Sequence, residues 1–181
     1  DDLGSARALS EQEVVVRVMT FHKSKGLDFP VVSLGGMDKQ FNMQDLMRKY
    51  SLHKDMGFGT KYIDPIKRIM YPTLFHVALN EKKKKEMLAE EMRVLYVALT
   101  RAKEKLVMVG NVASFEKRRQ QWSKILNHEQ WVLPAHFRGN AHSYLDWVAP
   151  SLMRHQDNAV LRPEGVMMAA NEAIQRDPSS W

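Results

Sequence analysis

The stretch Leu88-Ala89-Glu90-Glu91-Met92-Arg93-Val94-Leu95-Tyr96-Val97-Ala98-Leu99-Thr100-Arg101-Ala102-Lys103-Glu104-Lys105-Leu106-Val107-Met108-Val109-Gly110-Asn111 carries two patterns in succession. Leu88, Met92, Leu95, Leu99, Ala102 and Leu106 recur at alternating spacings of four and three, the stripe of a helix with one face on a core. The periodicity predicts a helix from about Thr73 to Lys103. Leu106 to Val109 is then a continuous apolar run closed by Gly110-Asn111, and reads as a short buried strand. A long helix followed at once by a buried strand belongs to a layered α/β domain.

Upstream, Val14 to Thr20 and Pro30 to Leu34 are β-branched runs that read as strands, with Lys23-Ser24-Lys25-Gly26-Leu27 between them. Two strands so linked can pair as a hairpin, and nearly continuous apolar strands also suit a parallel sheet; periodicity leaves both open. Gly35 to Tyr71 is irregular, punctuated by Gly57-Phe58-Gly59, Asp64-Pro65 and Tyr71-Pro72, and reads as an ordered insertion with short helices. Residues 1–13 are a polar lead-in. After Phe115 the chain turns to aromatic and basic helical segments containing Trp122, Trp131, Tyr144 and Trp147. From Gln156 onward, Asn158, Pro163, Gly165 and Asp177-Pro178-Ser179-Ser180 suggest a linker, or a helix cut from a larger body. No internal repeat is visible.

The 181 residues fit one domain, or one domain and an extension, and suffice for a real core. The absence of cysteine excludes disulfides, thiolate metal sites and cysteine nucleophiles. Apolar runs fall far short of the ~20 residues of a membrane span, and Asp1-Asp2 does not open a signal peptide. The expectation is a protein neither membrane-bound nor exported. The net charge of +6 is uneven, for between Glu81 and Lys124 twelve Lys/Arg face six Asp/Glu. That whole excess suits a polyanionic partner, or simply a solvated helix face.

Two segments are candidates for chemistry. Thr20-Phe21-His22-Lys23-Ser24-Lys25-Gly26-Leu27-Asp28-Phe29 makes a cationic corner at the end of an apolar strand, where a helix N-terminus would present N–H groups to an anion. An ordinary strand-to-helix turn with solvated lysines has the same composition. In the second segment Arg93, Val97 and Arg101 follow at i, i+4 and i+8, so that on a helix both guanidiniums emerge on one side. Fixed charge and a planar donor fork suit a phosphoryl group. Intrahelical pairs, Glu90 with Arg93 and Arg101 with Glu104, account for the same residues at a few tenths of a kcal/mol each.

Taken together the two segments resemble a family. Thr20-x-His22-x-x-Lys25-Gly26-Leu27-Asp28-Phe29-Pro30-Val31-Val32, followed by Glu90-Glu91-x-Arg93-x-Leu95-Tyr96-Val97-Ala98-x-Thr100-Arg101-Ala102, is similar to motifs V and VI of the UvrD/Rep/RecB class of superfamily 1 DNA helicases. Within that class Lys39 to Leu46, Leu52 to Gly59, and Ser143-Tyr144-Leu145-Asp146-Trp147 with Pro150 and Arg154-His155 resemble the AddA (RexA) subunits of bacterial helicase/nucleases. The likeness runs from about Val14 to His155.

The resemblance implies an α/β fold: a partial RecA-like, P-loop NTPase type parallel-sheet domain with a helical C-terminal extension. Residues 14–112 would be the C-terminal part of the second RecA-like domain, with an insertion at 37–72. Residues 113–181 would be a helical extension and linker toward a nuclease domain. Arg101 then matches the arginine that contacts the nucleotide γ-phosphate, in the manner of an arginine finger. Asp28 holds the place of a ribose-binding acid where Glu is usual, and Gly26 belongs to the same nucleotide-facing group. Thr20, His22 and Lys25 match the DNA-side part of motif V, and Lys23 stands where small or polar residues are usual.

The resemblance further implies ATP with Mg2+ in a full-length parent, none held tightly by this chain alone. It implies a single-stranded DNA track and duplex ends as substrate, with a role in double-strand-break repair and recombination. The implied partners are an N-terminal motor domain and an AddB-type subunit. The implied location is the bacterial cytoplasm, at the nucleoid. No Gly-x-x-x-x-Gly-Lys-(Ser/Thr) loop and no Walker B acidic pair occur, so the chain by itself is expected to be inactive toward ATP. Its histidines at 22, 53, 76, 128, 136, 142 and 155 lack tight ligand spacing, and no metal site is expected. The aromatic residues after Phe115 read as helix packing ahead of a DNA-stacking surface. The competing functional reading is a non-catalytic single-stranded-DNA-binding or protein-docking module with a helicase-derived fold.

Overall fold

In a computed structural model of the chain, residues 15–164 are described. Along them run β1 (Phe29–Leu34), β2 (Tyr50–His53), β3 (Gly57–Asp64), β4 (Ile69–Pro72), α1 (Leu74–Leu99), β5 (Ala102–Met108), α2 (Phe115–Ser123), α3 (Ala135–Gly139) and α4 (Leu145–Met153). Short 3-10 turns lie at Phe21–Ser24, Gln44–Met47 and Gln156–Leu161. The fold is α/β, with β1 and β5 parallel and Val32 beside Leu106 and Leu34 beside Met108. Parallel neighbours need a long crossover, and α1 lies within it. Pro30 to Leu34 therefore joins a parallel sheet and not a hairpin.

Helix α1 forms because its apolar stripe finds a core at Leu88, Leu95 and Ala98. Thr73 caps its start, accepting the His76 N–H at 3.2 Å. The helix stops at Leu99, short of the expected Lys103. There the Thr100 hydroxyl donates back to the carbonyls of Tyr96 and Val97 at 3.0 and 3.1 Å, and β5 begins two residues later. Ala102 and Leu106 keep the apolar phase of the stripe but sit on the strand.

Two expectations fail. The strand foreseen over Val14 to Thr20 does not form in its described part, residues 15–20. Val16 and Val18 are 96% and 97% exposed, and among the described residues no strand lies beside them to supply the cross-strand packing on which β propensity rests. The insertion, expected to hold short helices, is instead an antiparallel meander in the order β2-β3-β4, preceded by the single 3-10 turn at Gln44–Met47. Its turn chemistry explains this. Gly57 takes φ +84° as β3 opens, and the Asp64 carboxylate accepts the N–H groups of Ile66 and Lys67, both at 3.0 Å, to fold the β3–β4 turn.

The core joins distant parts of the chain. Leu34 and Met37 meet Leu88, Leu95 and Ala98 from α1 and Ala141 and Trp147 from the C-terminal helices. A second cluster holds Trp122, Leu126, Ala149 and Met153. Asp146 ties these helices, accepting from Arg118 at 3.2 Å, the Trp122 indole at 3.3 Å and the His142 N–H at 3.0 Å. The aromatic residues Trp122 and Trp147 are thus packing groups. The polar lead-in at 1–13 and the tail beyond residue 164 lie outside the described residues.

Candidate functional site

The parallel pairing of β1 with β5 brings the two motifs to one end of the sheet. Phe29 opens β1 beside Ala102, and its N–H donates to the Arg101 carbonyl at 2.9 Å. Arg101, between the end of α1 and the start of β5, reaches across to the residues preceding β1. Its Nε donates to the Val97 carbonyl at 2.9 Å, Nη1 to the Leu27 carbonyl and to the Asp28 Oδ1 at 3.2 Å each, and Nη2 to the Thr100 hydroxyl at 3.1 Å. Four of its five N–H groups are thereby used, leaving one on Nη2. The guanidinium side chain is 19% exposed and the Asp28 side chain 52%, so the pair sits at the surface with its cation side sheltered.

The corner itself is more closed than a helix N-terminus. The N–H groups of Lys23 and Ser24 both donate to the Thr20 carbonyl, at 3.0 and 3.2 Å, and Leu27 donates to the Ser24 carbonyl at 3.0 Å. Ser24 is buried and returns its hydroxyl to the Phe21 carbonyl at 2.7 Å. Gly26 takes φ +82°, which bends the chain from the turn toward β1. The amide cradle expected from sequence is therefore spent internally, because a four-residue 3-10 turn folds back on its own cap. The cationic side chains remain: Thr20, His22, Lys23 and Lys25 are all exposed. The corner also lies at the amino ends of β1 and β5, and not beyond a strand formed by Val14 to Thr20.

Of the arginine pair foreseen on one helix face, only Arg93 is helical. It pairs with Glu90 at 2.7 Å, while Arg101 has left the helix and chosen Asp28 over Glu104. The sequence did not point to Thr100 or to the Leu27 carbonyl, which orient the guanidinium; no spacing rule reaches across so many residues. Nor did it foresee a partner for Glu91, to which the Tyr144 hydroxyl donates. Burial first, then this carboxylate, push the Tyr144 phenol well above its ordinary value. Among the described residues no group of three or more His, Asp or Glu is disposed to hold a metal ion, and no helix is long and apolar enough to cross a membrane.

Residues 3–112 match the family of the UvrD-like helicase C-terminal domain, more than half of the chain. The chain belongs to that family. As a UvrD-like helicase C-terminal domain it is 60% identical, over 180 residues, to a protein of Oceanobacillus iheyensis named as the A-type subunit of an ATP-dependent helicase/nuclease, covering 99% of this chain. Proteins of the same name from Bacillus cytotoxicus and Bacillus cereus are 55% and 54% identical over all 181 residues. The chain spans 14% of the length of each of these relatives. The family's helicase, nuclease, ATP-binding and DNA-binding vocabulary agrees with the two motifs. The likeness also extends past residue 112, through the segment that supplies Trp147 to the core.

Proposed function

We propose that this UvrD-like domain is the part of an AddA-type ATP-dependent DNA helicase/nuclease subunit that couples a nucleotide to a DNA strand in double-strand-break repair and recombination. The observation that carries the reading is the Arg101–Asp28 contact, which joins motif VI to motif V at one end of the β1–β5 pair. Arg101 supplies the charge for a γ-phosphate, and Asp28 and Gly26 face the same nucleotide. Thr20, His22 and Lys25 offer their exposed side chains to the strand. A phosphate approaching Arg101 finds one free N–H and must draw further donors from Asp28 or Leu27, so nucleotide binding loosens the corner that meets DNA.

Such a subunit uses ATP as its substrate, and a magnesium ion bound with it neutralises phosphate charge. The residues here fit the phosphate side through Arg101 and Lys25 and offer no carboxylate cluster for the metal. The remaining nucleotide contacts belong to another domain of the parent, and this chain alone is inactive toward ATP. The parent acts with an AddB-type partner on single-stranded DNA and duplex ends in the bacterial cytoplasm, at the nucleoid.

The test is Arg101→Ala in the full-length subunit complex. DNA-stimulated ATP hydrolysis should fall by about 10³-fold or more, the scale of arginine-finger losses, while affinity for single-stranded DNA changes little. Turnover close to that of the unaltered enzyme would remove Arg101 from the nucleotide site and the reading with it.

A further inference from the structure

The meander presents two unlike faces. Directly opposed residues of a sheet share a face, and the register sets Leu52 against Phe58, Tyr50 against Thr60 and Tyr62 against Tyr71. Ser51, His53 and Gly59 occupy the face that packs on α1, where Ser51 is 2% exposed. Tyr50, Leu52, Phe58, Tyr62 and Tyr71 occupy the other, each between 49% and 61% exposed. The aromatic rings come as two pairs: Tyr50 and Phe58 are stacked with centroids 6.4 Å apart, and Tyr62 and Tyr71 lie 5.0 Å apart. Along β3 the pairs are four residues apart, about 13 Å at ~3.3 Å per residue.

Charge says what such a face suits. Lys54 follows β2 in the turn at one end of the sheet; Lys49, before β2, and Lys67 and Arg68, in the β3–β4 turn, stand at the other. Among the described residues none of these four makes an ion pair. The acid on the aromatic face, Asp64, is held by the N–H groups of its own turn. Flat rings in the middle and cations at both ends are what a single strand requires, since every base has a π-face and every linkage a phosphate. Sheets elsewhere hold two or three unstacked bases on aromatic side chains in this way. A face meant for a protein core would carry aliphatic residues and few flanking charges.

We propose that the aromatic face of the β2-β3-β4 meander is a stacking platform for single-stranded nucleic acid, on a different sheet from the Thr20–Asp28 corner. It rests on the reading of the parent as a DNA-handling enzyme and adds a second hold on an unpaired strand, tolerant of sequence because stacking makes no base-edge contact. Duplex DNA binds there poorly, its base faces being already stacked.

The experiment is fluorescence anisotropy of the 181-residue chain with a labelled oligo-dT and with an abasic oligonucleotide of equal length and charge. One ring is removed from each pair, Phe58→Ala with Tyr71→Ala, and the conservative Phe58→Tyr with Tyr71→Phe is the companion. Both positions are half exposed, and circular dichroism verifies the fold of each variant. The double alanine variant should bind oligo-dT at least about tenfold more weakly, and the companion should stay within about twofold. The abasic strand should bind the unaltered chain as weakly as oligo-dT binds the alanine variant, with the salt dependence retained because the phosphate contacts persist. Equal affinity of a folded alanine variant for oligo-dT, equal affinity of the abasic strand, or no binding by the unaltered chain each overturns the platform and leaves the face to a protein neighbour. None of those results touches the Arg101 reading, which fails only on retained ATP hydrolysis in the parent.

Discussion

Arg101 is both a candidate for chemistry and a fastener. Four donors tie it to the last turn of α1 and to the residues before β1, so its removal loosens the corner as well as deleting a charge. The Asp28 contact is the weaker share, because the carboxylate is half exposed and water competes for it. A double-mutant cycle of Arg101→Ala and Asp28→Ala, read by denaturant unfolding, should give a coupling below about 1 kcal/mol. A larger value would make the pair a structural bridge. Gly26→Ala should cost about 1–2 kcal/mol in the same assay, since φ +82° places a Cβ against the following carbonyl even though the space around it is open. Both motif residues were legible by resemblance. Their contact was not, because 73 residues separate them and only the parallel pairing of β1 with β5 closes the gap.

At the scale of elements, the seam between the meander and α1 has no slack at Gly59. A Cβ built there would stand 2.7 Å from the Leu79 Cδ1 and 3.0 Å from the His76 Cα, and the second of these is backbone. Gly59→Ala should therefore destabilise by about 1–3 kcal/mol, seen as a lower melting temperature; an unchanged melt would mean that strand and helix are not pressed together. Nearby, Glu86 meets the buried His53 ring at 3.1 Å. His53 Nδ1 accepts the N–H groups of Asp55 and Met56, so its Nε2 donates to the carboxylate. That hydrogen bond is the main cause holding the Glu86 carboxyl below its ordinary 4.5. A folded-state value below the unfolded one gives stability that is present above pH 4.5 and lost as pH falls through the lowered value. Glu86→Gln should accordingly flatten the acid limb of a melting-temperature profile and leave it unchanged near neutrality.

The same elements show what patterning can and cannot disclose. Helix α1 was legible because its stripe faces a core on one side only, which is the condition under which period and burial coincide. The meander was not, since its alternating rings face solvent and its buried positions are Ser51, His53 and Gly59, residues that read as polar or as breakers. Gly57-Phe58-Gly59 looks like punctuation in sequence; in the structure Gly57 turns the chain and Gly59 admits a helix.

For the whole molecule the decisive fact is that its main core is not local. Leu34, Met37, Leu88 and Leu95 lie within the stretch that matches the helicase family, whereas Ala141 and Trp147, on the same cluster, lie beyond residue 112. Trp147 is 5% exposed, donates its indole N–H to the Arg138 carbonyl at 3.0 Å and packs beside Phe41 with centroids 5.1 Å apart. Backbone bonds reinforce the join, Leu145 N–H to the Met37 carbonyl and Phe41 N–H to the His142 carbonyl, both at 2.8 Å. The family boundary in sequence is thus not a boundary in packing. A chain ended after residue 112 should lose its cooperative thermal transition and bind a hydrophobic dye, as cores with exposed apolar surface do, whereas one ended after residue 164 should melt like the full chain. Within the full chain Trp147→Ala should cost about 3–5 kcal/mol. If the chain of 112 residues melts as sharply as the longer one, the C-terminal helices are a separate body resting on a finished domain. If it does not, the arginine of motif VI is held in place in part by residues that come fifty or so positions after it.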